Sequence, residues 1–98
     1  MTFQTVDPKD PDAVEPFSFD FSERFLELDR SERIDTFEVA IDDGDSSLLI
    51  DRSSMQGPIV TAWLSGGTLF ATYTVRCRVV TTIGRTLDLS FKVTIQPD

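Results

Sequence analysis

The strictest pattern along the chain lies near its end. Leu87, Leu89, Phe91, Val93 and Ile95 take the odd positions, and Thr86, Asp88, Ser90, Lys92 and Thr94 the even ones. A period of two over ten residues predicts a half-buried β-strand, because successive side chains of an extended chain point to opposite faces of a sheet. Tyr73, Val75, Cys77 and Val79 alternate with Thr74, Arg76 and Arg78 in the same way. Between the two runs, Thr81-Thr82-Ile83-Gly84-Arg85 supplies a glycine where a tight turn needs a positive φ, so the pair is expected to form an antiparallel hairpin. Its outer face gathers Arg76, Arg78 and Lys92 with Asp88 and several threonines, a solvated surface.

Further upstream the signal repeats in shorter pieces. Ile59, Thr61 and Trp63 alternate with Val60, Ala62 and Leu64, bounded by Pro58 and by Ser65-Gly66-Gly67. Phe37, Val39 and Ile41 alternate with Glu38, Ala40 and Asp42, after which Asp43-Gly44-Asp45 breaks the chain before a short Leu48-Leu49-Ile50 run. Phe17, Phe19 and Phe21 alternate with Ser18 and Asp20. Ser22 to Arg33 is the one helical candidate, with an Arg24/Phe25/Leu28 face and no strong cap, and as little as a single turn of helix is expected. Residues 5–16 carry Pro8, Pro11 and Pro16 among acids, which disfavours regular structure and reads as an extended arm.

Six or seven short strands separated by turn signals predict an all-β, two-sheet sandwich, most simply immunoglobulin-like. The expected division is an arm over residues 1–16 and an immunoglobulin-like antiparallel β-sandwich over 17–98. Tyr73 falls where such sandwiches place a corner tyrosine. Cys77 has no second cysteine to pair with, so it reads as a small buried hydrophobe.

Composition narrows the chemistry. The 98 residues hold 9 Lys and Arg, 17 Asp and Glu and no His, a net charge of -8. That length supports one core. Residues 1–51 carry 15 acids against four bases, a net -11, and residues 52–98 two against five, a net +3. A chain this acidic is not expected to bind nucleic acid, whose recognition draws on Lys and Arg, nor an acidic membrane. No run is apolar enough to span a bilayer, and the start lacks a basic-then-apolar export pattern. Without His and with one Cys, zinc sites and the Ser/His/Asp and Cys/His nucleophile systems are excluded.

What remains are weaker constellations. Asp42, Asp43, Gly44, Asp45 and Asp51 form the densest oxygen cluster, a calcium candidate without the EF-hand spacing, and Asp7, Asp10 and Asp12 form a second; solvated turn acids are the simpler reading of both. Carboxylate pairs for general acid-base work need a pocket that separates their pKa values, which a small sandwich rarely builds. Trp63 with Ser65-Gly66-Gly67-Thr68 offers a sugar platform, although the plainer expectation is that Trp63 fills the core. The Phe17, Phe19, Phe21 and Phe25 cluster reads as core, with part of it a possible subunit contact, since eight Phe exceed what one small core hides. No catalytic residue, metal or cofactor is assigned.

Lys9-Asp10-Pro11-Asp12, Phe19-Asp20-Phe21-Ser22, Trp63-Leu64-Ser65-Gly66-Gly67-Thr68, Tyr73-Thr74-Val75, Thr81-Thr82-Ile83-Gly84-Arg85 and Ser90-Phe91-Lys92-Val93 form an ordered series. It resembles a family of small virion proteins of tailed bacteriophages, described as fibre-tail adaptor or minor tail proteins with an immunoglobulin-like fold. The resemblance runs from about Lys9 to Ile95. It implies a non-enzymatic subunit of the tail or neck, made in the host cytoplasm, present in symmetric copies and bound to other tail, neck or fibre proteins. The expected contacts are Asp7, Pro8, Lys9, Asp10, Pro11 and Asp12 on a neighbouring subunit, and Arg76, Arg78 and Arg85 facing the acidic half of the next copy. The alternative is a sugar- or calcium-binding adhesion module of the same fold.

Overall fold

A computed structural model describes residues 3–4, 8–25 and 32–97, with the side chains of Phe3, Gln4, Phe25 and Asp43 outside that description. In chain order the elements are β1 (Phe3–Gln4), β2 (Glu15–Asp20), α1 (Ser22–Phe25), β3 (Ile34–Asp43), β4 (Leu48–Gln56), β5 (Ile59–Gly66), β6 (Thr72–Thr81) and β7 (Thr86–Thr94). One sheet runs β1-β7-β6-β3 and the other β2-β5-β4, and the two pack as an all-β sandwich. Neighbours are antiparallel except β1, which runs parallel to β7.

The alternations become the two inner faces. Tyr73, Val75, Cys77 and Val79 of β6, with Leu89, Phe91 and Val93 of β7, face Phe17 and Phe19 of β2 and Val60, Ala62 and Leu64 of β5. Nine of these, including Phe19, Phe91 and Tyr73, have no solvent exposure at all, which puts the hydrophobic gain at about 1.5–3 kcal/mol for each large side chain. Phe91 joins the sheets, its ring 5.3 Å from that of Phe17 and 5.0 Å from that of Phe19. Ala62 pairs directly with Phe17, and its small side chain leaves room for the ring.

Trp63 departs from expectation. Burying Val60, Ala62 and Leu64 turns Ile59, Thr61 and Trp63 outward, since one strand cannot present both sets to one side. The indole therefore lies half-buried on the outer face, with the Arg52 guanidinium 4.1 Å from its ring centroid, a cation–π contact. The break expected at Asp43-Gly44-Asp45 falls at Gly44, just after β3 ends at Asp43, but β4 continues past Ile50 through Asp51-Arg52-Ser53-Ser54-Met55-Gln56. The helix spans Ser22–Phe25, and the remainder of the helical candidate, residues 26–31, lies outside the described residues.

The expected boundary between residues 16 and 17 falls inside β2. Part of the arm lies against its own domain: Phe3 and Gln4 are in register with Ser90 and Phe91, and Lys9 bridges to Ile95. The Lys9 N–H donates to Thr94 O at 3.0 Å and its carbonyl accepts from Gln96 N at 2.8 Å.

Candidate functional site

Among the described residues, three arginines are paired with acids of the same chain. Arg76 meets Asp42 at 3.2 Å, Arg78 meets Asp88 at 2.9 Å, and Arg85 forms a two-point pair with Glu32, both bonds 2.8 Å. Two of the three acids belong to the acidic half, so the split read from the sequence is closed in part inside one copy. Lys9 is buried, and its ammonium donates to the carbonyls of Asp10 at 2.7 Å and Gly66 at 2.8 Å. Burial pushes its pKa down, against the pull of Glu15, Asp10, Asp12 and Asp51.

The expected contact residues do not share one surface. Asp7 lies outside the described residues. Pro8 and Asp12 are exposed, while Asp10 and Pro11 are half-buried in a turn where Asp10 Oδ1 accepts from Asp12 N at 2.7 Å. Arg76 and Arg78 sit on the outer face of β6, and Arg85 at the start of β7, about 30 Å along the strand from the Lys9 end. At the Arg85 end, the Glu32 side chain is fully buried, and Arg85 also reaches Arg24 O at 3.1 Å. Arg85→Ala would strand a buried carboxylate. We expect a lower melting temperature for that variant and partial recovery on adding Glu32→Gln, read by thermal melts of the single and double substitutions.

The densest polar network lies at the opposite end, around Tyr73. Its hydroxyl accepts from Thr68 N–H at 2.8 Å and donates to Asp45 Oδ1 at 2.8 Å. Thr68 Oγ1 donates to Asp45 Oδ2 at 2.7 Å, and both the backbone N–H and the hydroxyl of Ser47 donate to Asp45 Oδ1. These donors, Ser47 first and then Thr68, hold the Asp45 carboxyl well below the usual carboxylate range. Such a group stabilises the fold fully above its unfolded value of about 3.9, and the contribution drains away as pH falls below that. Asp45→Asn should therefore cost stability at pH 7, and its deficit against the native chain should narrow at pH 3, as measured by urea titration at both.

This corner also absorbs the calcium candidate. Asp45 serves Tyr73, Asp42 serves Arg76, and Asp51 accepts from Ser65 Oγ at 2.6 Å. Among the described residues no three Asp, Glu or Cys converge to hold a metal ion. Burial, with Asp88 adding to it, pushes the Cys77 thiol up to about 12, which leaves it without thiolate character at neutral pH. An open groove of about 560 Å³ beside β2 is lined by Pro8, Glu15, Pro16, Phe17 and Ser18, with Glu15 its single ionisable group.

Beside the corner, the loop joining β5 to β6 carries a feature the alternation did not indicate. Phe70 has φ 67, the one positive value at a non-glycine among the described residues, and its side chain is 70% exposed. A bulky residue in the left-handed region costs about 1–2 kcal/mol. The conformation is held by bonds on both sides: Phe70 N–H to Ile95 O at 2.6 Å, Ala71 N–H to Thr68 O at 2.9 Å, and Ile95 N–H to Ala71 O at 2.9 Å. Leu69 beside it is 44% exposed. The loop thus presents two large apolar side chains on a clamped backbone, and no charge occurs between Arg52 and Arg76. Only the surplus of Phe in so short a chain signalled it.

Fold and surface define a small all-β sandwich domain with a rigid apolar tip and a self-contained polar corner. Over residues 9–94 the chain matches the family described as Podophage GP4 fiber-tail adaptor protein gp77, and it belongs to that family. The match begins at Lys9, the residue that bridges to Ile95, and ends at Thr94, so it covers the sandwich from β2 to β7. No curated protein matches the chain.

Proposed function

We propose that the chain is a non-enzymatic structural subunit of a tailed-phage virion, linking tail and fibre components in the neck or tail region through protein–protein contacts. In this reading it is made in the host cytoplasm and enters the particle in several symmetric copies. Family membership supports the adaptor role. The observation that supports the contact reading is Phe70: a 70% exposed aromatic beside exposed Leu69, on a backbone clamped in the left-handed region, is a preformed apolar tip for a partner to cover.

The sandwich is read as immunoglobulin-like. The order β2-β5-β4 against β7-β6-β3 corresponds to strands B-E-D and G-F-C of that fold. Tyr73, near the start of the F-equivalent strand and bonded to Thr68 N–H five residues upstream, supports the same assignment. The sugar or calcium alternative draws on Trp63, Ser65 and the Asp42/Asp43/Asp45 turn, of which Trp63, Asp42, Asp45 and Ser65 already meet Arg52, Arg76, Tyr73 and Asp51.

A phage whose copy of this chain is deleted tests the role. Particles with tails but without attached fibres are expected in electron micrographs. Fully fibred particles would remove the adaptor reading.

A further inference from the structure

Among the described residues the sandwich has four strand edges, and three of them carry features that discourage another chain from adding on. β1 is two residues long and covers Ser90 and Phe91 of β7, whose uncovered stretches carry the charges of Asp88 and Lys92. β2 contains Pro16, which has no N–H to offer. β3 carries Asp35, Glu38 and Asp42 and shifts register near both ends. Short strands, proline, charge and bulges are how edges are protected against pairing.

β4 is the exception. One bulge lies between Ile50 and Arg52; beyond it Ser53-Ser54-Met55-Gln56 has no charge and no proline. Every residue from Asp51 to Gln56 is exposed. Ser53 and Met55 are in register with Ala62 and Val60, which are fully buried, yet Met55 is 40% exposed, so this part of β4 overhangs the core. Among the described strands, its backbone has β5 on one side and none on the other.

We propose that residues 52–56 of β4 pair with the same segment of a second copy, antiparallel across a two-fold axis, to give one continuous sheet β2-β5-β4-β4-β5-β2. This rests on the reading of the chain as a multi-copy virion subunit and names the surface by which two copies meet. Charge selects the occupant. Copies of net charge -8 repel one another, and a seam free of acids is where they approach at least cost. A strongly basic or acidic strand would find no complementary charge along Ser53 to Gln56. With the axis at Ser54, Arg52 of each copy faces Gln56 of the other and Ser53 faces Met55, so no like charges oppose.

The outer face adds a second self-complementary feature. Ser18, Thr61 and Ser54 lie in one cross-strand row, with Ser18 Oγ 3.0 Å from Thr61 Oγ1. Two copies would continue that row through Ser54 on the axis, and cross-strand Ser/Thr pairs stabilise sheets.

The test uses the purified chain, so its outcome is independent of whether particles lose fibres. A five-residue seam buries little, so weak association is expected, with the sedimenting mass rising from one copy toward two between about 10 μM and about 1 mM. Ser54→Cys should form disulfide-linked dimers under mild oxidation at least tenfold faster than Ser46→Cys, an exposed loop control, because Cys77 is buried and does not compete. Met55→Lys, which sets like charges along the seam, should stay monomeric while keeping the native circular dichroism spectrum. A native chain that remains monomeric at about 1 mM, equal cross-linking of the two cysteine variants, or undiminished association of Met55→Lys would each overturn the proposal.

Discussion

Gly44→Ala is expected to cost about 3 kcal/mol or more, lowering the melting temperature by roughly 12 °C or more. Two effects add. Gly44 sits at φ 113, outside what a side-chain-bearing residue adopts comfortably. A methyl placed there would also lie 2.3 Å from Cδ1 of Tyr73, whose ring is fully buried and cannot retreat. Moving the ring would pull its hydroxyl from Asp45 and Thr68, so the clash and the network fail together. Tyr73→Phe removes the hydroxyl alone and is expected to cost less, about 1–3 kcal/mol, chiefly through the unpaired Thr68 N–H. Against a total stability of about 5–15 kcal/mol for a domain of this size, the first change approaches unfolding at 37 °C and the second does not. Thermal melts of the two variants side by side check the order; equal losses would mean the ring does not rest on Gly44.

Phe70→Asn is expected to separate folding from function. Asparagine tolerates the left-handed conformation, so the strain at φ 67 is relieved and stability should stay level or rise by up to about 1 kcal/mol. Removing an aromatic that its own fold leaves 70% exposed loses almost no core packing. The proposed anchor for a partner, however, is gone. Phage carrying the substitution should yield stable, soluble protein and few fibred particles, a loss on the order of a hundredfold if Phe70 is a contact hot spot worth about 2–4 kcal/mol. Wild-type fibre numbers with Phe70→Asn would move the contact elsewhere on the surface.

Much of the fold was legible because it is written in period two. β6 and β7 alternate strictly and came out as a hairpin turning at Gly84; Tyr73 fell where its hydroxyl could reach back across the loop. The far half of β4 was not legible for a physical reason: an edge strand exposed on both faces has no inner side to demand apolar residues. Trp63 misled because β5 alternates two sets that are both largely apolar, and the pattern alone does not say which set turns inward. Beside Phe17 and Phe19 in the same sheet, the smaller Val60-Ala62-Leu64 set leaves the rings room that an indole would take.

The site was less visible still. Lys9 reads as an exposed cation in an acidic arm, yet its burial depends on carbonyls of Asp10 and Gly66, groups that every residue carries and no composition reveals. Arg76 and Arg85 read as a basic face and are held by Asp42 and Glu32, partners 34 and 53 positions away in the chain. Phe70 left no periodic trace because a loop tip has no face.

Hydroxyl-radical footprinting of the chain, free in solution and within purified virions, tests the account most directly. Leu69 and Phe70 should be labelled readily in the free chain and at least severalfold more slowly in the particle. Equal labelling of the two states at these residues, or virions from which the chain is absent, would contradict the reading of this sandwich as an adaptor that grips its neighbour by the loop between β5 and β6.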